Sequence, residues 1–256
     1  MDHGVTAAGR LAEAGRPLII AHRGASAHAP ENTLPAFRMG IEAGSLLVEL
    51  DYHHSRDGVP IVIHDKTLDR TTDAAQRWGQ PEIAVVAKDA AELATLDAGS
   101  WFDEAYADTR LPTLDEALTT IQAGGITLIE RKAGDAQTLV TLLERRGLLD
   151  HVVVQSFDWD FLEAVRALAP KVVLGALGSK TLEAAALDRI VALGAHAVGW
   201  RAKDVTPAMI AAVHERKLEL WVYTVDDEGL AEKLVEGGVD GIITNRPAEM
   251  RRHLRK

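Results

Sequence analysis

Apolar positions along the chain follow two rhythms. Short, nearly continuous apolar runs recur at Pro17 to His22, Leu46 to Tyr52, Ile126 to Glu130, Val152 to Gln155, Val172 to Ala176, Ala197 to Trp200, Leu218 to Thr224 and Gly241 to Thr244. Runs of this length, rich in Val, Ile and Leu, read as strands buried on both faces. Between them apolar residues return at helical spacing: Leu34, Phe37 and Ile41 behind an Asn32 N-cap, then Phe161, Leu162, Val165 and Leu168 behind Asp158. A capping box, Thr113-Leu-Asp-Glu116, predicts a helix through Ile121. Further helices are predicted from Asp135, Thr181, Thr206, Asp226 and Pro247, the last with a basic end at 251–256 that suits a helix C-terminus. Eight parallel-type strands alternating with helices predict an α/β fold closed as a (β/α)8 TIM barrel, whose active site lies at the C-terminal strand ends.

Two segments depart from this alternation. Ser55-Arg56-Asp57-Gly58 interrupts the second strand, and Asp-Gly between β-forming residues is a hairpin signal. With Asp57 and Gly58 as the turn centre, Asp51 is expected opposite His64 and Glu49 opposite Lys66. From Asp65 to Arg110 the pattern loosens into turns and short helical pieces, the mark of a functional insertion. The chain is therefore expected to form a single barrel domain over 1–256, with its core over 17–250 and a small cap insertion over 65–110 after the second strand and hairpin. The first 15 or so residues read as a polar, frayed start, as termini commonly are.

Composition narrows the classes. The chain has 256 residues, 47% of them hydrophobic but only 5% aromatic, which suits a barrel core of Ala, Leu, Val and Ile. A formal net charge of −10 argues against nucleic acid as a partner, while a small anion can still be held where a metal and local cations reverse the field. Cysteine is absent, which excludes disulfides and thiolate metal sites and fits a reducing compartment. No signal peptide, bilayer-spanning run or stable membrane anchor is expected, so the expected setting is cytoplasmic. The oligomeric state is left open.

The strand ends carry the candidate chemistry. Glu49 and Asp51 share one face of a strand by their i, i+2 spacing, amid Leu46, Leu47, Val48 and Leu50. Buried carboxylates require a cation or hydrogen bonds, and Glu130 ends its own apolar run in the same way. Three carboxylates at one rim repel unless a metal joins them, and an all-oxygen set suits Mg²⁺ or Ca²⁺ better than Zn²⁺. His22 also ends a strand, and Lys132 lies just past Glu130. A lone strand-end histidine is more often a hydrogen-bonded structural residue than a catalyst; it is the convergence on one mouth that singles out His22. His53 shares the face of Glu49 and Asp51, with a hydrogen-bonding place at the rim, whereas His54 points the other way. His3, His28, His151, His196, His214 and His253 are expected to be structural or surface residues.

The chain resembles the glycerophosphodiester phosphodiesterase family. The resemblance rests on His22-Arg-Gly-Ala-Ser, Pro30-Glu-Asn-Thr-Leu, Glu49-Leu-Asp51, Asp57-Gly-Val-Pro-Ile-Val-Ile-His64-Asp65, Leu68-Asp-Arg-Thr-Thr, Pro112-Thr-Leu, Ile129-Glu-Arg-Lys132, Ser156-Phe157 and Gly241-Ile-Ile-Thr-Asn-Arg-Pro247, in order from about Pro17 to the end. It implies metal-dependent hydrolysis of a small glycerophosphodiester to sn-glycerol 3-phosphate and an alcohol. It further implies Glu49, Asp51 and Glu130 as metal ligands, His22 and His64 as general acid/base residues, Arg23 and Lys132 as phosphate-binding cations, and a role for the cap in substrate selection. Glu31, Asn32 and His53 are candidates for standing behind these groups. Tyr52-His53-His54, Arg131, Tyr223 and Asn245 depart from the family pattern and bear on substrate preference. Alternatives are a lysophospholipase D-type phosphodiesterase, an inactive barrel that only binds phosphorylated ligands, and a Schiff-base aldolase using Lys132.

Overall fold

The structure is a computed structural model and describes residues 5–254. In chain order the strands are β1 (Leu18–Ala21), β2 (Leu47–His54), β3 (Pro60–Val62), β4 (Ile126–Arg131), β5 (Val152–Ser156), β6 (Val173–Gly178), β7 (Ala197–Arg201), β8 (Glu219–Tyr223) and β9 (Gly241–Thr244). The helices are α1 (Ala7–Glu13), α2 (Leu34–Glu42), α3 (Ala74–Trp78), α4 (Ala90–Leu93), α5 (Leu114–Ile121), α6 (Ala136–Arg145), α7 (Trp159–Leu168), α8 (Ala184–Ala192), α9 (Pro207–Glu215), α10 (Glu228–Glu236) and α11 (Pro247–Leu254). The sheet runs β1-β9-β8-β7-β6-β5-β4-β2, and a parallel pairing of Ile20 with Leu47 and Ala21 with Val48 closes it into an eight-stranded barrel. β3 stands outside, antiparallel to the end of β2.

Strand parity sorts the side chains. On β2, Val48, Leu50 and Tyr52 join the large apolar layer between sheet and helices, while Leu47 joins the cluster that fills the barrel floor. Because side chains alternate, Glu49, Asp51 and His53 climb the inner face above Leu47. On β4 the floor residues Ile126 and Leu128 leave Glu130 next on the inner face. The floor also takes Leu18, Ile20, Val153, Val173, Trp221 and Ile243, so its layers are apolar and the ionisable groups collect at the C-terminal strand ends.

Three local expectations are corrected. The N-terminal stretch is not frayed from residue 7 on: Thr6 caps α1, and Ala7 and Leu11 are buried in the barrel floor. The first four residues lie outside the described range. The hairpin pairs Tyr52 with Val62, His53 with Ile61 and His54 with Pro60, one step away from the expected register. Ser55 N donates to Val59 O, and Gly58 takes a φ of +80°, so the loop is Arg56-Asp57-Gly58 with glycine in the left-handed position, a three-residue turn instead of a two-residue one. It is Ile63, whose N–H donates to Asp51 O, that stands beside Asp51 on the ladder. His64 sits past the end of β3.

The third correction concerns helix starts. Asn32 does not cap α2; Thr33 holds that position, and Asn32, at φ +58°, turns its amide to Asp51. α8 starts behind Glu183 and not at Thr181, and α10 behind Asp227 and not at Asp226. The caps at Thr113, Asp135, Asp158 and Thr206 stand where expected, each accepting from a backbone N–H.

Between β3 and α5 the 65–110 segment carries α3, α4 and two 3-10 turns. Leu68, Ala74, Ile83, Val85, Leu93, Leu96 and Ala98 form a separate apolar cluster with Ile61 and Ile63 of the hairpin arm. These aliphatic groups face inward and give the segment a small core of its own.

Candidate active site

The strand ends surround a cavity of about 140 Å³ lined by His22, Arg23, Glu49, His64, Glu130 and Lys132, with Gln155, Phe157 and Tyr223 on the far wall. A larger open depression of about 510 Å³ lies at the opposite end, near Arg10, Arg16 and Arg251, away from the carboxylates. Asp51 is buried and offers an oxygen that, with one each from Glu49 and Glu130, forms a cluster within 4.8 Å. The parallel β2–β4 register sets Asp51 beside Glu130.

Electrostatics divide these carboxyls. Burial pushes Glu49 well above the usual carboxylate range, and repulsion from Asp51 and Glu130 adds to it. Burial and Asp51 likewise push Glu130 up, to about 7, against the pull of Lys132. Asp51 is held below its ordinary value: burial opposes ionisation, but Lys132, Arg23, His64 and the Asn32 amide together outweigh it. Glu49 Oε1 is buried with no hydrogen-bond partner. An orphaned oxygen amid clustered carboxylates is what a hard divalent cation's donor set requires, so these residues fit such an ion.

Cations brace the cluster from two sides. Arg23 takes a left-handed φ of +55°, which aims its backbone N–H at Glu49 Oε2, 2.8 Å away. Its NH1 donates to Glu31 Oε1 at 2.8 Å and its Nε lies 3.2 Å from Asp51 Oδ2. Lys132 Nζ lies 3.2 Å from Asp51 Oδ1 and ion-pairs with Glu130. Burial would lower the lysine, but Asp51 and Glu130 hold it above its ordinary value. It is an ammonium, which disfavours the Schiff-base reading. Asn32 Nδ2 donates to Asp51 Oδ2 at 2.9 Å while its Oδ1 accepts from Asp51 N at 3.1 Å. His53 Nε2 sits 3.0 Å from the carbonyl oxygen of His64. Glu31 thus braces Arg23, Asn32 braces Asp51, and His53 meets the backbone of His64.

The two histidines have unlike partners. His22 Nδ1 donates to Asn245 Oδ1 at 2.7 Å, an oxygen that also accepts from Ser26 Oγ. The amide cannot be turned round, because its Nδ2 donates to Asp226 Oδ2 at 2.6 Å. Burial, then the Arg23 charge, pushes the imidazolium pKa of His22 down to about 4. His64 Nδ1 faces a carboxylate, Asp65 Oδ1, at 2.6 Å. Asp65 in turn is gripped by Arg70.

All seven residues singled out from sequence as catalytic, metal-binding or phosphate-binding come together here. The expected cross-strand pairing of Asp51 with His64 is absent; His64 reaches the cavity from the bend after β3. Sequence reasoning missed Gln155, Asp226, Asn245 as a histidine partner, Asp65 and Arg70. Parity on β5 gives away Gln155, two residues beyond the floor residue Val153. Five further histidines of the described range contact acids: His28 meets Glu249, His151 meets Asp150, His196 meets Glu219, His214 meets Asp240 and His253 meets Glu228. His54 stacks on Tyr52 behind the strand, and His3 lies outside the described residues.

Comparison with known proteins supplies independent information. Residues 22–249 match the model of the glycerophosphoryl diester phosphodiesterase family. A glycerophosphodiester phosphodiesterase of Caldanaerobacter subterraneus is 31% identical, over 94% of this chain and 99% of that protein. One from Bacillus subtilis is 32% identical, over 93% of this chain and 87% of that protein. Among solved structures, an Oleispira antarctica phosphodiesterase in complex with the product sn-glycerol-3-phosphate superposes with a TM-score of 0.85 at 28% identity, covering 94% of this chain and 98% of that one.

Proposed function

The chain belongs to the glycerophosphoryl diester phosphodiesterase family, and from that premise we propose how its residues divide the work. The enzyme hydrolyses a glycerophosphodiester; we assign its products as sn-glycerol 3-phosphate and an alcohol. The observation that carries the division is the contrast between the two histidines, one on a neutral amide and one on a carboxylate.

Asn245 fixes His22 with its proton on Nδ1, so Nε2 keeps the lone pair, and the depressed pKa keeps the ring neutral at pH 7. We assign His22 as the general base, which takes the proton of the attacking hydroxyl. Asp65 orients His64 through Nδ1, so that its Nε2 is the nitrogen left to serve the cavity. We assign His64 as the general acid: as the bond between phosphorus and the alcohol oxygen breaks, it gives that oxygen a proton. If the attacking group is the substrate's own 2-hydroxyl, a cyclic phosphate forms, and the two roles exchange when water opens it. Arg23 and Lys132 line the cavity and oppose the charge that develops on the phosphoryl oxygens. Glu49, Asp51 and Glu130 would hold a divalent cation, Mg²⁺ or Ca²⁺, which when bound supplies further positive charge to the phosphoryl group.

The cavity volume of about 140 Å³ favours a small polar headgroup over an acyl chain. That ranks a glycerophosphodiester above a lysophospholipid, and two proton-transfer groups at one cavity argue against a binding-only barrel. We further propose that 65–110 is a cap within the one domain and acts in substrate selection, and that the enzyme works in the cytoplasm, a setting its lack of cysteine suits. No helix among the described residues is long and apolar enough to cross a membrane. The test is turnover of glycerophosphocholine, other glycerophosphodiesters and lysophosphatidylcholine, with Mg²⁺ and Ca²⁺ added separately. Hydrolysis of the first group, abolished by chelation and reduced about 10² to 10⁴-fold in His22→Ala and His64→Ala, is expected. Near-wild-type turnover in either variant would sink the assignment.

A further inference from the structure

The Leu68-Asp69-Arg70-Thr71-Thr72 stretch of the cap has no part in the chemistry above, yet its arginine touches both halves of the site. Arg70 Nε donates to Asp65 Oδ2 at 2.6 Å and its NH2 lies 3.1 Å from Asp65 Oδ1. The same guanidinium donates through NH1 to Glu31 Oε2 and through NH2 to Glu31 Oε1, both at 2.8 Å. One planar group thus forks onto two carboxylates. Each carboxylate continues inward: Asp65 Oδ1 to His64 Nδ1 at 2.6 Å, and Glu31 Oε1 to Arg23 NH1 at 2.8 Å.

We infer that Arg70 is a positioning residue of the enzyme, a clamp from the cap that sets His64 and Arg23 relative to each other across the cavity. The two carboxylates come from separate segments, the loop after β1 and the bend after β3, and among the described residues Arg70 is the side chain that hydrogen-bonds both. Lysine cannot take its place, since a point charge lacks the fixed fork that addresses two carboxylates at once. The Arg70 side chain is 43% exposed, so its ion pairs contribute little to stability. What they contribute is orientation, which matters where small displacements of catalytic groups cost large factors in rate.

The inference rests on the reading of His64 as the acid, and the test keeps the two apart by varying the leaving group. Glycerophosphocholine expels an alkoxide that needs protonation, whereas the p-nitrophenyl ester of glycerol 3-phosphate expels a stable phenolate that does not. On both, kcat is read as release of the leaving group in the first turnover, which precedes the opening of any cyclic phosphate. For Arg70→Met, kcat on glycerophosphocholine is expected to fall roughly 30-fold, a large part of an acid/base effect, but less than about 3-fold on the nitrophenyl ester. KM should rise a few-fold on both, through Arg23. Arg70→Lys should behave like Arg70→Met. An equal kcat loss on the two esters, or wild-type kcat in Arg70→Lys, would overturn the clamp. His64→Ala is the reference: if it loses as much on the nitrophenyl ester as on glycerophosphocholine, the acid assignment fails by itself. Wild-type enzyme inactive on both esters would remove the functional reading altogether. Should Arg70→Met fail to fold, Arg70→Lys carries the same comparison.

Discussion

His22 donates its Nδ1 proton to Asn245 Oδ1 at 2.7 Å, and that amide is locked by Asp226. The hydrogen bond to this neutral amide raises the ring's proton affinity but does not outweigh burial and the Arg23 charge. Asn245→Asp would put a carboxylate against Nδ1, and opposite charge favours the protonated ring. With His22 as the proposed base, its depressed value of about 4 predicts the acidic limb of the kcat/KM profile, which should therefore move to higher pH by about one unit or more. A pH–rate profile of the two proteins measures it. An unmoved limb would mean that His22 does not set it.

Removing one carboxylate from the cluster of Glu49, Asp51 and Glu130, the proposed cation ligands, should help the cation-free fold while harming function. Glu49 is buried, repelled by Asp51 and Glu130, and leaves Oε1 unpartnered. In EDTA, Glu49→Gln is expected to unfold about 2 to 5 °C above wild type, from about 1 to 2 kcal/mol of relieved repulsion and desolvation. With millimolar Mg²⁺, wild type should gain stability by binding and the variant should gain much less. Parallel Mg²⁺ responses would remove Glu49 from the ligand set.

These carboxylates were legible in the sequence because they lie on strands. Alternation on β2 and β4 is enough to send Glu49, Asp51 and Glu130 to one mouth, since floor residues such as Leu47 and Leu128 fix the parity. Parity does not reach into loops. The hairpin register differs by one step because Gly58 supports a three-residue turn as readily as a two-residue one. Asn32 and Asp226 read as helix caps, and both are drawn into the site instead, one onto Asp51 and the other onto Asn245. Short polar side chains serve caps and site braces with the same atoms, so the choice between them depends on neighbours distant in sequence. The Arg70 clamp is of that kind as well.

Acid sensitivity should come in part from the barrel floor. Burial by itself would raise the Glu219 carboxyl, but His196, Arg16 and the Trp221 Nε1–H outweigh it and bring the pKa from 4.5 down to about 2. A carboxylate depressed in the folded state contributes stability that is full above its unfolded pKa and is lost as pH falls from about 4.5 to about 2. Glu219→Gln should thus cost on the order of 2 kcal/mol at pH 7 and little at pH 2. Urea midpoints at both pH values test this; an equal cost at both would show a packing effect instead.

The N-terminal helix offers the cleanest separation of stability from catalysis. Leu11 is fully buried and shares the floor cluster with Ile20, Leu47 and Trp221, while Thr6 caps the helix and Ala7 N donates to Asp150 O at 2.7 Å. Leu11→Ala opens a cavity where eight strands converge, and such truncations cost about 2 to 5 kcal/mol. Leu168, 43% exposed at the end of α7, supplies the control, with Leu168→Ala expected within about 0.5 to 1 kcal/mol of wild type. The floor lies at the opposite end of the strands from His22 and Glu130, so kcat of Leu11→Ala at 25 °C should stay within about 2-fold of wild type while its unfolding midpoint falls well below. A midpoint equal to that of Leu168→Ala would mean that α1 is not part of the barrel's core.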